Sequence, residues 1–192
     1  MNKSRIEAFS DGVIAIIITI MVLELKIPHG TSFSILEPLI PVFLSYVLSF
    51  IFIGIYWGNH HHLLHTVKQV NSKIIWANLH LLFWLSLVPF ATAFMGENHF
   101  EGVTVAVYAI LASICGMAYY LLLKLISAEH SDDSPLLLPL KKQEQKGKIS
   151  LVLYLSAIPI SFYLPLISAL LFVAVSILWW IPDKNIEKSL RK

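Results

Sequence analysis

Apolar stretches along the chain predict six helices whose lengths suit a lipid bilayer. We place these helices near residues 6–27, 36–65, 73–95, 102–127, 149–164 and 166–181. A helix needs about 20 apolar residues to cross the hydrocarbon core of a membrane. The last two helices divide one long apolar run, which contains Pro159 and Pro165 near its middle. The pattern therefore predicts an all-α membrane protein, with one six-helix domain over residues 1–192.

The first predicted helix has an unusually short apolar run between charged flanks. Gly12 to Leu23 are twelve residues, apolar except for Thr19, and a run of this length covers only about 18 Å of helix. Asp11 precedes the run and Glu24 follows it. Charged ends at this spacing favour a helix that lies among other helices or against water over one that faces lipid.

Apolar side chains repeat along one face of this helix. Ile16, Ile20 and Leu23 have the helical spacing i, i+4, i+7, and Thr19 lies beside them. An isoleucine ridge in a membrane helix usually packs against protein or lipid, and this interpretation stays open here. A ridge that instead faced a symmetry axis would form apolar rings, and such rings can narrow an aqueous path. Because one helix cannot enclose a pore, this second interpretation requires several copies of the chain.

Composition and charge support a membrane protein with both termini on one side. The chain is 57% hydrophobic and 14% charged, which is too apolar for a soluble domain of 192 residues. With six crossings, 13 of the 14 lysines and arginines fall on the side of the termini, and Lys26 falls opposite. The positive-inside rule therefore predicts cytoplasmic termini and a mobile cytoplasmic loop over residues 128–148. The sequence contains no P-loop, dinucleotide fingerprint or glycine-rich potassium filter loop.

Polar residues from three predicted helices fall at a similar depth near the predicted cytoplasmic side. They are Arg5 to Asp11 on the first helix, Asn59, His60, His61, His62 and His65 on the second, and Asn78 and His80 on the third. Polar groups at membrane depth usually find partners within the protein, so a structural clamp on the first helix is one hypothesis. His61 and His65, at i, i+4 spacing, with His80 as a third ligand, predict the alternative of a metal site. A pH-sensing role for the histidines also stays open.

Four short patches follow one another through the first half of the chain. Arg5, Phe9, Ser10 and Asp11 form the motif R-x-x-x-F-S-D, and further patches lie at residues 56–61, 76–79 and 87–93. These patches, in this order, resemble the transmembrane protein 175 family of lysosomal and prokaryotic potassium channels. The resemblance covers residues 5–98, about half of the chain.

The resemblance implies a six-helix subunit whose first helix lines a central pore without a classical P-loop filter. Prokaryotic members with one such unit assemble as tetramers, which implies a homotetramer in a prokaryotic plasma membrane. The implied function is passive K⁺ conduction, with K⁺ as the permeant ion and no other cofactor. The family's apolar constriction maps onto Ile16, Ile20 and Leu23, and its threonine layer maps onto Thr19.

The resemblance also implies a buried polar network around the first helix. Its members here are Arg5, Phe9, Ser10, Asp11, Trp57, His60, His61 and Asn78. The roles of His62, His65 and His80 stay open.

Two other functions stay open on the sequence. An intramembrane metal-dependent hydrolase would use the histidines of the second helix, and it would need zinc and a carboxylate near His61 or His65. A secondary transporter usually shows internal repeats, and the motif of the first helix occurs once in this chain.

Overall fold

The computed structural model describes residues 2–131 and 134–180, which form helices and connecting turns without a β-strand. The helices are α1 Lys3–Met21, α2 Ile40–His65, α3 Ser72–Leu85, α4 Val88–Glu97, α5 Gly102–Ser127, α6 Leu137–Ser161 and α7 Pro165–Trp180. A 3-10 turn extends α1 over Val22–Glu24, and a 3-10 segment over Phe33–Leu39 precedes α2. The predicted all-α class is confirmed.

Four stretches of the described chain are long and apolar enough to cross a membrane. They are Lys3–Glu24, Phe33–His65, Ser72–Glu97 and Gly102–Ser127. Helix α7 is apolar but shorter, so the count of six crossings stays a prediction. The predicted end of the last helix at Ile181, and the basic residues Lys184, Lys188, Arg191 and Lys192, lie outside the described residues.

The stretch predicted as one helix over residues 73–95 consists of the two helices α3 and α4. Pro89 has no N–H to donate to the carbonyl four residues earlier, which weakens the α-helical pattern at this point. The Leu87 N–H instead donates to the Trp84 carbonyl at 3.2 Å, a tighter i, i+3 bond. The helix is therefore interrupted at Ser86 and Leu87, although both halves belong to one apolar span.

The predicted loop over residues 128–148 is wrong for its second half, because α6 begins at Leu137 and not at 149. This polar part of α6 packs on α5, and Leu140 is buried. Glu144 forms ion pairs with Lys148 at 2.9 Å and with Lys124 at 3.1 Å. The hydrogen bond from Lys148 is the main reason that the pKa of Glu144 is lowered to about 2. These pairs stabilise the first half of α6, which the sequence pattern predicted as part of the loop.

Helix α5 lies at the centre of the subunit, whereas α1 lies at its side. Of the 26 residues of α5, 14 are buried, against five of the 19 residues of α1. Helix α5 packs on α3, α4, α6 and α7, and the ring of its Tyr108 lies 5.0 Å from that of Phe172 on α7. Helix α1 packs on α2, α3 and α4. One side of α1 is therefore held by the subunit, and the other side is open.

Candidate functional site

Helix α1 has a buried face and an exposed face. Its buried residues are Ile6, Ser10, Ile14, Ile17 and Met21. Its exposed residues include Phe9, Ile16, Ile20 and Leu23, with exposed fractions of 54%, 58%, 42% and 77%. Both sets repeat at the helical period, and their centres lie about 110° apart around the helix axis, so they form two different faces of α1. The predicted ridge of Ile16, Ile20 and Leu23 therefore lies outside the core of the subunit.

Thr19 is exposed beside this ridge, and its hydroxyl forms a hydrogen bond within α1. Its hydroxyl donates to the Ile16 carbonyl at 2.9 Å. A hydroxyl that donates its hydrogen still has oxygen lone pairs that can accept. Thr19 can therefore offer an oxygen to a water molecule or a cation next to the apolar ridge.

A buried hydrogen-bond chain joins α1 to α3 and α2. The Asn78 side-chain N–H donates to Ser10 Oγ at 2.9 Å, and His60 Nε2 lies 2.6 Å from Asn78 Oδ1. All three side chains are fully buried. Buried polar groups that lose their partners cost free energy. These hydrogen bonds therefore favour one rotation of α1 about its own axis, the rotation that turns the ridge outward.

A second polar set connects α1 to the end of α2. Asp11 Oδ1 accepts from Trp57 Nε1 at 3.0 Å. The nearest nitrogen of His61 lies 3.8 Å from Asp11 Oδ2, which is too long for a hydrogen bond. One turn earlier on α1, Glu7 Oε1 lies 3.1 Å from His65 Nδ1. These contacts fix the first turns of α1 against α2.

Two members of the predicted network, Arg5 and Phe9, lie apart from these hydrogen bonds. Both side chains are exposed, and none of the ion pairs within residues 2–131 and 134–180 includes Arg5. The structure brings Ser10, Asn78 and His60 together in one set, and Asp11 and Trp57 in another.

The predicted third metal ligand, His80, lies apart from the histidines of α2. It accepts a hydrogen bond from Trp84 Nε1 at 2.9 Å on its own helix. The rings of His61 and His65 are 5.1 Å apart, but the described residues contain no group of three or more metal-ligating side chains that could hold an ion.

A further polar set, which was not predicted from the sequence, connects three helices behind α1. Thr92 on α4 donates to Ser49 Oγ on α2 at 2.7 Å, and Ser49 Oγ lies 3.0 Å from the Tyr108 hydroxyl on α5. These three side chains are buried. Thr92 belongs to the patch at residues 87–93, so a polar residue inside an otherwise apolar patch was the signal for this set.

A groove of about 500 Å³ runs beside the ridge, between α1 and α4. Its lining includes Ile16, Ile20, Ser86 and Phe90, and Glu24 lies at its far end. The groove along the exposed face of α1 therefore reaches a carboxylate, Glu24, at the end of the helix opposite Arg5.

Comparisons with known proteins agree on one family. The family model for the endosomal/lysosomal potassium channel TMEM175 matches residues 5–89. A protein from Chryseobacterium sp. (strain P1-3) that is named a potassium channel is 50% identical over 192 residues, the full length of both chains. A Gallus gallus relative named an endosomal/lysosomal proton channel is 30% identical over 139 residues, which are 62% of this chain and 28% of that protein.

A solved structure gives the same result for the fold. The crystal structure of a lysosomal potassium-selective channel TMEM175 homolog from Chamaesiphon minutus superposes with a TM-score of 0.80 at 28% identity. The match covers 93% of this chain and 96% of the other. The family consists of channels and not of enzymes, which excludes the metal-dependent hydrolase and leaves the transporter without support. With half of its residues identical to those of a full-length bacterial relative, this chain belongs to the TMEM175 family of channels.

Proposed function

We propose that four copies of this chain form a channel that conducts K⁺ passively, in preference to Na⁺, across a prokaryotic plasma membrane. In this proposal the whole chain is one channel domain, both termini are cytoplasmic, and α1 of each copy lines a central pore. The observation that supports the proposal most is the exposed ridge of Ile16, Ile20 and Leu23 on a helix whose adjacent face is buried.

The ridge would supply the narrow part of the pore. Four copies around an axis would turn each of its residues into an apolar ring, and apolar rings can close a pore to ions by expelling water. Thr19 lies between Ile16 and Ile20 in the chain and would add a ring of hydroxyl oxygens at this level. Those oxygens could replace part of the hydration shell of a passing cation.

The polar sets on the other face of α1 would hold the ridge in place. Ser10, Asn78 and His60 would fix the rotation of α1, and Asp11 and Trp57 would fix its first turns. Arg5 and Phe9 are exposed in one subunit, so we place them at the contacts between neighbouring copies.

A flux assay with Ile20→Ala tests this proposal. Purified protein in liposomes should release K⁺ faster than Na⁺. Ile20→Ala should change the K⁺ rate by roughly threefold or more and reduce the preference for K⁺, because it widens an apolar ring. Ile110→Ala is the matched control, since Ile110 on α5 is 44% exposed and Ile20 is 42% exposed. A pH-sensitive dye in the same liposomes measures proton flux, the activity that the vertebrate relative's name describes.

Each part of the proposal can fail separately. Wild-type liposomes that release no K⁺ would overturn the conducting function. Equal rates and preferences for the wild type and Ile20→Ala would overturn the constriction while leaving conduction intact. Native mass spectrometry of the same sample decides whether four copies assemble.

A further inference from the structure

Glu24 ends the ridge of α1. It follows Ile20 by four residues and lies in the 3-10 turn that extends α1, at the end of the helix far from Arg5. Its side chain is exposed, and it lines the groove that also contains Ile16 and Ile20. A second pocket of about 300 Å³ at this end is lined by Glu24, Lys26 and Glu97. A carboxylate therefore lies where the exposed face of α1 opens to the surroundings.

The nearest basic residue, Lys26, is held by another carboxylate. Lys26 Nζ lies 2.5 Å from Glu97 Oε1, across a separation of 71 residues in the chain. The hydrogen bond that Lys26 donates to Glu97 is the main cause of a raised pKa of Lys26, so this ammonium stays charged and paired. Glu97 is therefore the main partner of this ammonium. The charge of Glu24 also raises the pKa of Lys26, but Glu24 belongs to none of the ion pairs among the described residues.

The connecting segments at this end of the subunit have an excess of negative charge. The segment after α1 meets the end of α4 through Lys26 and Glu97, and the backbone at Ser161 lies against Gly102. Residues 22–39, 97–102 and 161–165, all described, contain four glutamates and one lysine. The glutamates are Glu24, Glu37, Glu97 and Glu101. Like charges around an opening raise the local concentration of counter-ions.

We propose that Glu24 of each copy forms an acidic ring at the mouth of the α1-lined path, where it concentrates K⁺ and sets the conduction rate at low ionic strength. In this role the Glu97 carboxylate offsets the positive charge of Lys26, which lies beside Glu24 at the same pocket. This inference rests on the proposed function and adds a residue that controls how ions reach the constriction.

Ion flux at two salt concentrations tests the ring. The Debye length is about 30 Å at 0.01 M salt and about 3 Å at 1 M, so a surface charge acts at a distance only in dilute salt. Glu24→Gln should lower K⁺ flux by about threefold or more at roughly 0.01 M KCl and leave it unchanged at roughly 1 M. Glu37→Gln is the matched control, because it removes the same charge from an exposed residue that lines neither cavity.

A second variant should change K⁺ flux in dilute salt in the opposite direction. Lys26→Gln removes the ammonium and leaves Glu97 unpaired near Glu24, so K⁺ flux in dilute salt should rise. The flux of Lys26→Gln also tests the acidic ring if Glu24→Gln does not fold. Glu24→Gln with the same dilute-salt flux as Glu37→Gln, or Lys26→Gln without a rise, would overturn the ring while wild-type conduction stands. A wild type without K⁺ flux would overturn the ring together with the proposed function.

Discussion

Helix α1 turns the same type of residue towards two different environments. Ile14 and Ile17 are 0% and 4% exposed, whereas Ile16 and Ile20 are 58% and 42% exposed. Hydropathy does not separate these isoleucines, because all four are the same residue. The buried face also contains Ser10, whose contact with Asn78 favours one rotation of the helix over others. A few buried polar contacts can therefore decide which apolar face of a membrane helix packs and which remains open.

The largest expected effect comes from removing the contact that sets this rotation. Asn78→Leu would leave His60 Nε2 without its partner, at a cost of about 1–3 kcal/mol, and Ser10 would keep only its bond to the Ile6 carbonyl. We expect a lower melting temperature in detergent and loss of K⁺ flux. Asn98→Leu is the control, since Asn98 is exposed and its side chain bonds the carbonyl of Phe94 on its own helix. An Asn78→Leu protein with wild-type melting temperature and flux would show that this contact does not set the rotation.

Alanine variants of two neighbouring residues, Ile16 and Ile17, test separately what each face contributes to stability and to K⁺ flux. Ile17→Ala creates a cavity in the subunit and should cost about 2–5 kcal/mol of stability. Ile16→Ala removes the same atoms from the exposed face and should change stability by less than about 0.5 kcal/mol. We expect Ile16→Ala to change the K⁺ flux per folded protein more than Ile17→Ala does. Melting curves and flux measured on the same preparations give both values, and equal destabilisation by the two variants would contradict the assignment of the faces.

The sequence predicted the ridge of α1 because helical periodicity is a local property. The spacing of Ile16, Ile20 and Leu23 places them on one face of any helix, and that face is exposed in the structure. The pairing of Asn78 was not local, since three consecutive histidines lie near the end of α2 and only the tertiary fold brings His60 to Asn78 on α3. The pair of Lys26 and Glu97 likewise joins distant parts of the chain.

The first half of α6 was missed for a different physical reason. Residues 137–148 are polar with scattered leucines, which is typical of a loop in a membrane protein. The ion pair of Glu144 with Lys148 supports a helix locally, but the pair with Lys124 on α5 depends on tertiary packing. The interruption of the third predicted helix could have been read from Pro89, which lacks the N–H that a continuous helix requires.

Thiol labelling at Ile20 tests most directly whether the exposed face of α1 lines a path for water and ions. The one native cysteine, Cys115, is buried, so the wild type serves as the unreactive background. Ile20→Cys should react with a charged, membrane-impermeant thiol reagent, and the labelled protein should lose K⁺ flux. Ile110→Cys on α5 should neither react nor lose flux. An Ile20→Cys protein that reacts only with a lipid-soluble reagent, and that keeps its flux, would show that this face is turned towards lipid.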